Sequence, residues 1–271
     1  MEPLTVLKLG GSLITDKKQP YQARPEVLQS VAAEIKQCLD EGLIKSLVLI
    51  QGVGSYGHPP VMQHKLYAGF KGPHQLMPLS ETQSKVNELR TMVMVSLQKA
   101  GIPICLLHPS SMAVSEKTKI SRLFLEPLMG FISMGMVPLL GGDLLVDSAM
   151  GISVGSGDQI AVRLVRDLNA SRLIFACDVC GIYESDPKAN PRAKLIREID
   201  LKRADEVLAS LAKSESSDAS GSMRGKLSAI SAVGDLVKGG LQVYLTGMMK
   251  PGNLRSVLAG RPGESTRIVM G

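Results

Sequence analysis

Seven runs of strand length, at residues 4–9, 46–50, 102–107, 136–140, 172–176, 241–246 and 266–270, are apolar nearly throughout rather than alternating with polar residues. Strands of that kind must be covered on both faces, the condition of a sheet sandwiched between helices. The segments between them carry helical spacing. Pro25 is followed by Val27, Val31, Ile35 and Leu39, one helical face with proline in its first turn. The predicted class is α/β with a largely parallel sheet. A chain of 271 residues is long enough to bury such a core without disulfides or metals. Two stretches, 61–80 with its glycines and prolines and 213–225 with its serines and glycines, break the rhythm and read as binding loops or lids.

Composition narrows the class. Hydrophobic residues at 44% and charged residues at 21% describe a globular protein. Aromatic residues at 3%, without tryptophan, argue against the stacking platforms that hold single-stranded nucleic acid. A net charge of +6 suits a protein that handles phosphate compounds. The most apolar stretch, 124–145, contains Glu126, Pro127, Pro138 and Asp143 and cannot form the apolar helix of about 20 residues that crosses a bilayer. The N-terminus has no basic region before its first apolar run, so a cytoplasmic location is expected. Four cysteines are read as small core residues in a reducing compartment. Cys177 and Cys180 form C-x-x-C, but no second pair completes a tetrahedral zinc site, so no protein-held metal is expected.

Three glycine-bearing turns carry the chemistry. The first, Lys8-Leu9-Gly10-Gly11-Ser12, follows the opening strand, with Lys17 close behind; its backbone N–H groups and lysines suit a phosphate, though an ordinary strand-to-helix turn reads the same. The second, Gly52-Val53-Gly54-Ser55-Tyr56-Gly57-His58, has the form G-x-G-x-x-G. A dinucleotide fingerprint needs an acidic residue about 20 positions on, and none occurs between Glu41 and Glu81. What remains is an anion nest ending in a histidine able to donate to a bound oxyanion. His64, His74 and His108 are expected to be ordinary surface histidines. The third turn, Gly155-Ser156-Gly157-Asp158-Gln159, offers Asp158 either as a helix N-cap or as a carboxylate that orients lysines, Lys226 among them. No Walker-type phosphate loop and no protein-kinase catalytic loop is present.

In order along nearly the whole chain, Lys8 to Lys17, Gly54 to His58, Val137-Pro138 with Gly142-Asp143, Ser156-Gly157-Asp158, Asp178-Val179 with Gly181-Ile182-Tyr183, Asp186-Pro187 and Asp218 to Lys226 resemble the amino acid kinase superfamily, and within it the isopentenyl phosphate kinases. That resemblance implies a three-layer αβα sandwich, one domain over 1–271, with an acceptor-binding half to about 165 and a nucleotide-binding half from about 166. It implies phosphoryl transfer from ATP, with Mg2+ carried on the ATP phosphates, to isopentenyl phosphate; the alternatives are a phosphonate acceptor such as fosfomycin, a different small phosphate or carboxylate as in other kinases of the superfamily, and a nucleotide-binding protein on the same fold that is not an enzyme. Lys8, Lys17, Lys226, Asp158 and His58 take the catalytic roles. Gly10, Gly11, Ser12, Asp178, Gly181, Tyr183 and Gly221 join the lysines around ATP, and Gly52, Val53, Gly54, Gly57, His58 and Gly157 hold the acceptor. His58 is the residue that marks phosphate and phosphonate acceptors. The family's usual residues are replaced at Gln51, Val53, Gln159, Cys180 and Ser222. A homodimer is expected, with no nucleic-acid or membrane partner. Met77, Val86, Met92 and Val93 are candidates for the dry pocket that an apolar acceptor tail needs, although a Met/Val stripe at helical spacing is more often plain core.

Overall fold

The computed structural model describes residues 2–213, 219–261 and 263–271, with the side chains of 208, 210–213 and 219–222 left aside. The fourteen strands are β1 (Leu4–Leu9), β2 (Ser46–Gln51), β3 (Ile104–Leu106), β4 (Ala113–Glu116), β5 (Lys119–Leu123), β6 (Val137–Gly141), β7 (Asp143–Asp147), β8 (Gly151–Gly155), β9 (Arg172–Cys177), β10 (Ile182–Tyr183), β11 (Leu195–Ile196), β12 (Glu198–Asp200), β13 (Gln242–Gly247) and β14 (Ser265–Val269). The helices are α1 (Gly11–Ile14), α2 (Pro25–Asp40), α3 (Gly54–Gln63), α4 (Leu76–Lys99), α5 (Pro109–Met112), α6 (Glu126–Ser133), α7 (Gly157–Asp167), α8 (Ala204–Lys213), α9 (Ala219–Ser231), α10 (Gly234–Lys238) and α11 (Asn253–Leu258).

Eight strands form the central sheet in the order β12-β14-β13-β9-β1-β2-β6-β3, and all seven expected strands lie in it. Pairing is parallel except between β13 and β14, which reverses β14 and its neighbour β12. Every residue of β1 is buried. Alternate positions feed two cores. Val6, Val48, Leu173 and Phe175 pack with α7 and α9, whereas Leu7, Leu49, Leu139 and Ile174 pack with α2 and α4. This is the expected three-layer αβα arrangement.

Two departures matter for the site. A second, four-stranded sheet, β5-β4-β7-β8, grows out of the end of β6 and returns the chain to α7. The loop expected at 61–80 is shorter than the sequence suggested: α3 runs to Gln63, two 3-10 turns follow, and α4 begins at Leu76. The loop expected at 213–225 is helical from Ala219 onward, while Asp218 lies outside the described residues.

Candidate active site

The first two glycine turns leave the C-terminal ends of neighbouring parallel strands, β1 and β2, and meet. A Cβ on Gly11 would lie 2.5 Å from the amide nitrogen of Gly54, and one on Gly52 would lie 2.5 Å from that of Gly11. No side chain fits at either position, so glycine is required by contact. Thr15 staples the pair: its hydroxyl donates to the Gly11 carbonyl at 2.8 Å and accepts from the Ser55 amide at 3.0 Å. Gly54 adopts φ +47°, and Val53 sits at φ −83°, comfortable for a β-branched residue. The Val53 side chain fits because two glycines leave it room: a Cβ on Gly57 would meet its Cγ2 at 2.6 Å, and one on Gly142 its Cγ1 at 2.9 Å.

Above this junction lies a cavity of about 510 Å³. Lys8, Gly11, Ser12, Lys17, Gly52, Val53, Gly54, Gly57, His58, Gly157, Asp158 and Lys226, all expected from the sequence, line it. Lys8 points from β1 toward the start of α7, where its ammonium lies 2.7 Å from Oδ1 of Asp158. Lys226, from α9, approaches Oδ2 of the same carboxylate at 3.7 Å. Asp158 is not the cap of α7; Ser156 is, its hydroxyl accepting from the Asp158 amide at 3.3 Å. The carboxylate is thereby released for the lysines, and its place in the first turn puts it at the favourable end of the helix dipole. Two ammoniums share one carboxylate in a buried place. Burial pulls the Lys8 ammonium below the usual lysine range, with Lys226 adding to the pull and Asp158 opposing it. Burial pushes Asp158 upward, yet the two lysines outweigh it and hold its carboxyl below the ordinary range.

Lys17 and His58 are carried on exposed backbone whose placement is fixed from below. The loop holding Lys17 closes through a Thr15–Ala23 bridge and donates from the Tyr21 amide to the Ser55 carbonyl at 3.3 Å. His58 follows the second nest in α3, a helix with Pro59 and Pro60 inside it.

Gly10, Asp178, Gly181 and Tyr183, also expected, are not among the residues that line the cavity. The Gly10 amide bonds to the Ala176 carbonyl at 2.8 Å behind the first nest. Asp178 accepts from the Ser12 hydroxyl at 2.8 Å and pairs with Lys188 at 2.5 Å, tying the segment after β9 to that nest. Gly181 and Tyr183 lie beyond it at β10, and Gly221 is in α9. Cys177 is buried, its thiol pushed up to about 11 by burial first of all, and Cys180 donates to Glu264 at 3.0 Å. Among the described residues no group of three His, Cys, Asp or Glu could hold a metal ion.

The apolar wall differs from expectation. Val86 lines the cavity, but Val93 is buried in the core under α2 and α4, while Met77 and Met92 are exposed on the outer side of α4. The helix face toward the cavity is Thr82, Gln83 and Val86, opposite Leu144 and Val154 of the second sheet and beside Pro59 and Val61. No alternation in the sequence marks this second wall, because β7 follows β6 after Gly142 alone and the two read as one apolar run. His108 is not a lone surface histidine: its Nδ1 is 2.6 Å from the Arg90 guanidinium.

A strand-nest-helix junction doubled around a two-lysine carboxylate defines a small-molecule kinase. The chain belongs to the amino acid kinase family, whose model matches residues 3–246. It is 30% identical to the isopentenyl phosphate kinase of Methanothermobacter thermautotrophicus over 98% of both chains. With the isopentenyl phosphate kinase of Methanocaldococcus jannaschii it shares 30% identity over 84% of this chain and 86% of that one. An isopentenyl phosphate kinase crystal structure superposes with a TM-score of 0.82 at 27% identity, covering 98% of this chain and 100% of that one. The chain is a phosphotransferase.

Proposed function

We propose that this enzyme transfers the γ-phosphoryl group of ATP to the phosphate of isopentenyl phosphate, giving isopentenyl diphosphate and ADP. The observation that carries the reading is the Lys8–Asp158–Lys226 cluster at the base of a cavity floored by two touching glycine nests. An acceptor phosphate oxygen attacks the γ-phosphorus, and the bond from that phosphorus to the β–γ bridging oxygen of ATP breaks. The acceptor oxygen is already anionic, so no strong general base is needed; the obstacle is bringing two polyanions together. Lys8 and Lys226, held by Asp158, meet the charge of the transferring group, and Lys17, which lines the same cavity, assists at the phosphates. The N–H groups of the second nest and His58 hold the acceptor phosphate. Its apolar tail extends between α4 and the second sheet, against Val86, Leu144 and Val154.

Among the described residues, those lining the cavity precede residue 166 except Gly225 and Lys226, which supports an acceptor half before that point and a nucleotide half after it. ATP then lies over the first nest toward Asp178, Gly181, Tyr183 and Gly221, with its magnesium carried on its own phosphates. The proposal includes assembly as a homodimer, for which light scattering should return the mass of two chains. The deciding assay offers ATP with isopentenyl phosphate, fosfomycin or N-acetylglutamate in parallel. Turnover is expected to be fastest with isopentenyl phosphate; preference for the phosphonate or the carboxylate would replace the proposed acceptor.

A further inference from the structure

A carboxylate lines the wall of a cavity built for anions. Asp143, the first residue of β7, borders the proposed acceptor site beside Gly142 and Leu144, and it is almost wholly buried. An uncompensated charge there would repel a phosphate monoester and would itself be costly to bury.

The compensation comes from behind the wall. Arg90, in the middle of α4, is completely buried and does not line the cavity. Its guanidinium donates to the Gly142 carbonyl at 3.1 Å and lies 3.7 Å from Oδ2 of Asp143. Its other terminal nitrogen reaches Asn87 Oδ1 at 3.0 Å and His108 Nδ1 at 2.6 Å. Asp143 is held from its other sides by the Ser110 amide at 3.2 Å and the Leu144 amide at 2.9 Å. The planar fork thus engages both oxygen acceptors of the turn, the Gly142 carbonyl and the Asp143 carboxylate, from a residue that does not itself line the cavity. Lysine, with a compact ammonium, cannot span the same set.

We infer that Arg90 is a positioning residue for the acceptor: it neutralises Asp143 and engages the Gly142–Asp143 oxygens, so that the wall accepts an anionic headgroup. The inference rests on the proposed placement of the acceptor phosphate in this cavity. Removing Arg90 alone leaves a carboxylate facing the anion, whereas removing both charges leaves a neutral wall. A role confined to packing has the opposite signature, because a second substitution then adds to the damage.

The test is calorimetric titration of the purified enzyme with inorganic phosphate, isopentenyl phosphate and ATP, using wild type, Arg90→Met, Arg90→Lys, Asp143→Asn and the Arg90→Met/Asp143→Asn pair. Arg90→Met is expected to weaken binding of both phosphate probes by about tenfold or more, from an unscreened charge a few ångströms away. Arg90→Lys should fall between it and wild type. Asp143→Asn should tighten both, and the double variant should bind within about threefold of wild type, while ATP stays within about twofold in every variant. Should Arg90→Met fail to fold, Asp143→Asn and the double variant decide. Weaker phosphate binding by Asp143→Asn, a double variant no better than Arg90→Met, or an equal loss for ATP overturns the inference. A wild type that binds inorganic phosphate but does not phosphorylate isopentenyl phosphate removes the functional reading and leaves the Arg90 result to be read on the phosphate titration. A wild type that binds neither probe overturns both.

Discussion

Lys8 and Lys226 reach one carboxylate from elements far apart in the chain, and their value lies in where their charge is needed. The transferring phosphoryl group gains most from fixed cations in the transition state, so Lys8→Ala and Lys226→Ala should each lower kcat by about 10²–10³. KM for either substrate should change far less, and steady-state kinetics against both substrates checks the split. Near-normal kcat in both variants would remove these lysines from the mechanism. Asp158 makes a sharper prediction through pH. Burial and Lys226 pull the Lys8 ammonium toward losing its proton, and Asp158 opposes them. Asp158→Asn takes away the opposition, so Lys8 deprotonates at lower pH and the alkaline limb of the kcat profile should shift downward. A helix cap would instead predict a loss of roughly 1 kcal/mol in stability with the profile unmoved, and that role belongs to Ser156.

At the scale of the elements, the wall of the site depends on a turn that departs from the usual hairpin recipe. Lys117 and Thr118, between β4 and β5, both take left-handed conformations, φ 48° and 69°, where asparagine and glycine are the usual occupants. Asp147, on the neighbouring β7, supplies the reason: its carboxylate accepts from the amides of Lys117, Thr118, Ala149 and Met150 at 2.9–3.1 Å. Burial raises its pKa, and these donors outweigh burial and bring it below the ordinary value. A carboxyl with a depressed folded-state pKa stabilises above its unfolded value, near 3.9, and loses that contribution as pH falls through the folded one. Asp147→Asn should therefore cost about 1–3 kcal/mol at neutral pH. Denaturant melts should show the gap to wild type narrowing below about pH 4; a gap constant with pH would mean that charge is not what holds the turn. None of this sheet was legible in the sequence. β5 is largely exposed and β8 half-exposed, so neither offers an apolar run, and only the fold shows that a residue of β7 holds a turn 30 positions earlier. The seven central strands were legible because both their faces are covered. The two nests and their cations were legible as well, since contact between backbones leaves glycine no substitute.

Across the whole molecule, the sheet turns about β1, with β2 on one side and β9 on the other, and the site opens at the carboxyl ends of those strands, where ligands of open α/β sheets gather. Lys8, Lys17, His58, Asp158 and Lys226, singled out in the sequence, line one cavity, whereas of the four apolar candidates for its wall Val86 alone does. Met77, Met92 and Val93 share the helix that lines it yet face outward or into the core, and only packing decides which arc of a 24-residue helix meets the cavity. The proposed function divides the molecule, with acceptor phosphate on the β2 nest and nucleotide on the β1 nest and beyond. His58 tests that division most directly, because it lines the cavity from α3, beside the nest proposed for the acceptor phosphate. The measurement is kcat/KM for isopentenyl phosphate in His58→Ala, alongside the Kd for ATP. A hydrogen bond to a charged group is worth about 1.5–3 kcal/mol, so acceptor kcat/KM should fall roughly tenfold to a hundredfold or more. ATP affinity should stay nearly unchanged, and His58→Gln, which keeps a donor, should retain more activity than alanine. An equal fall in ATP affinity, or no change in either quantity, would contradict the division.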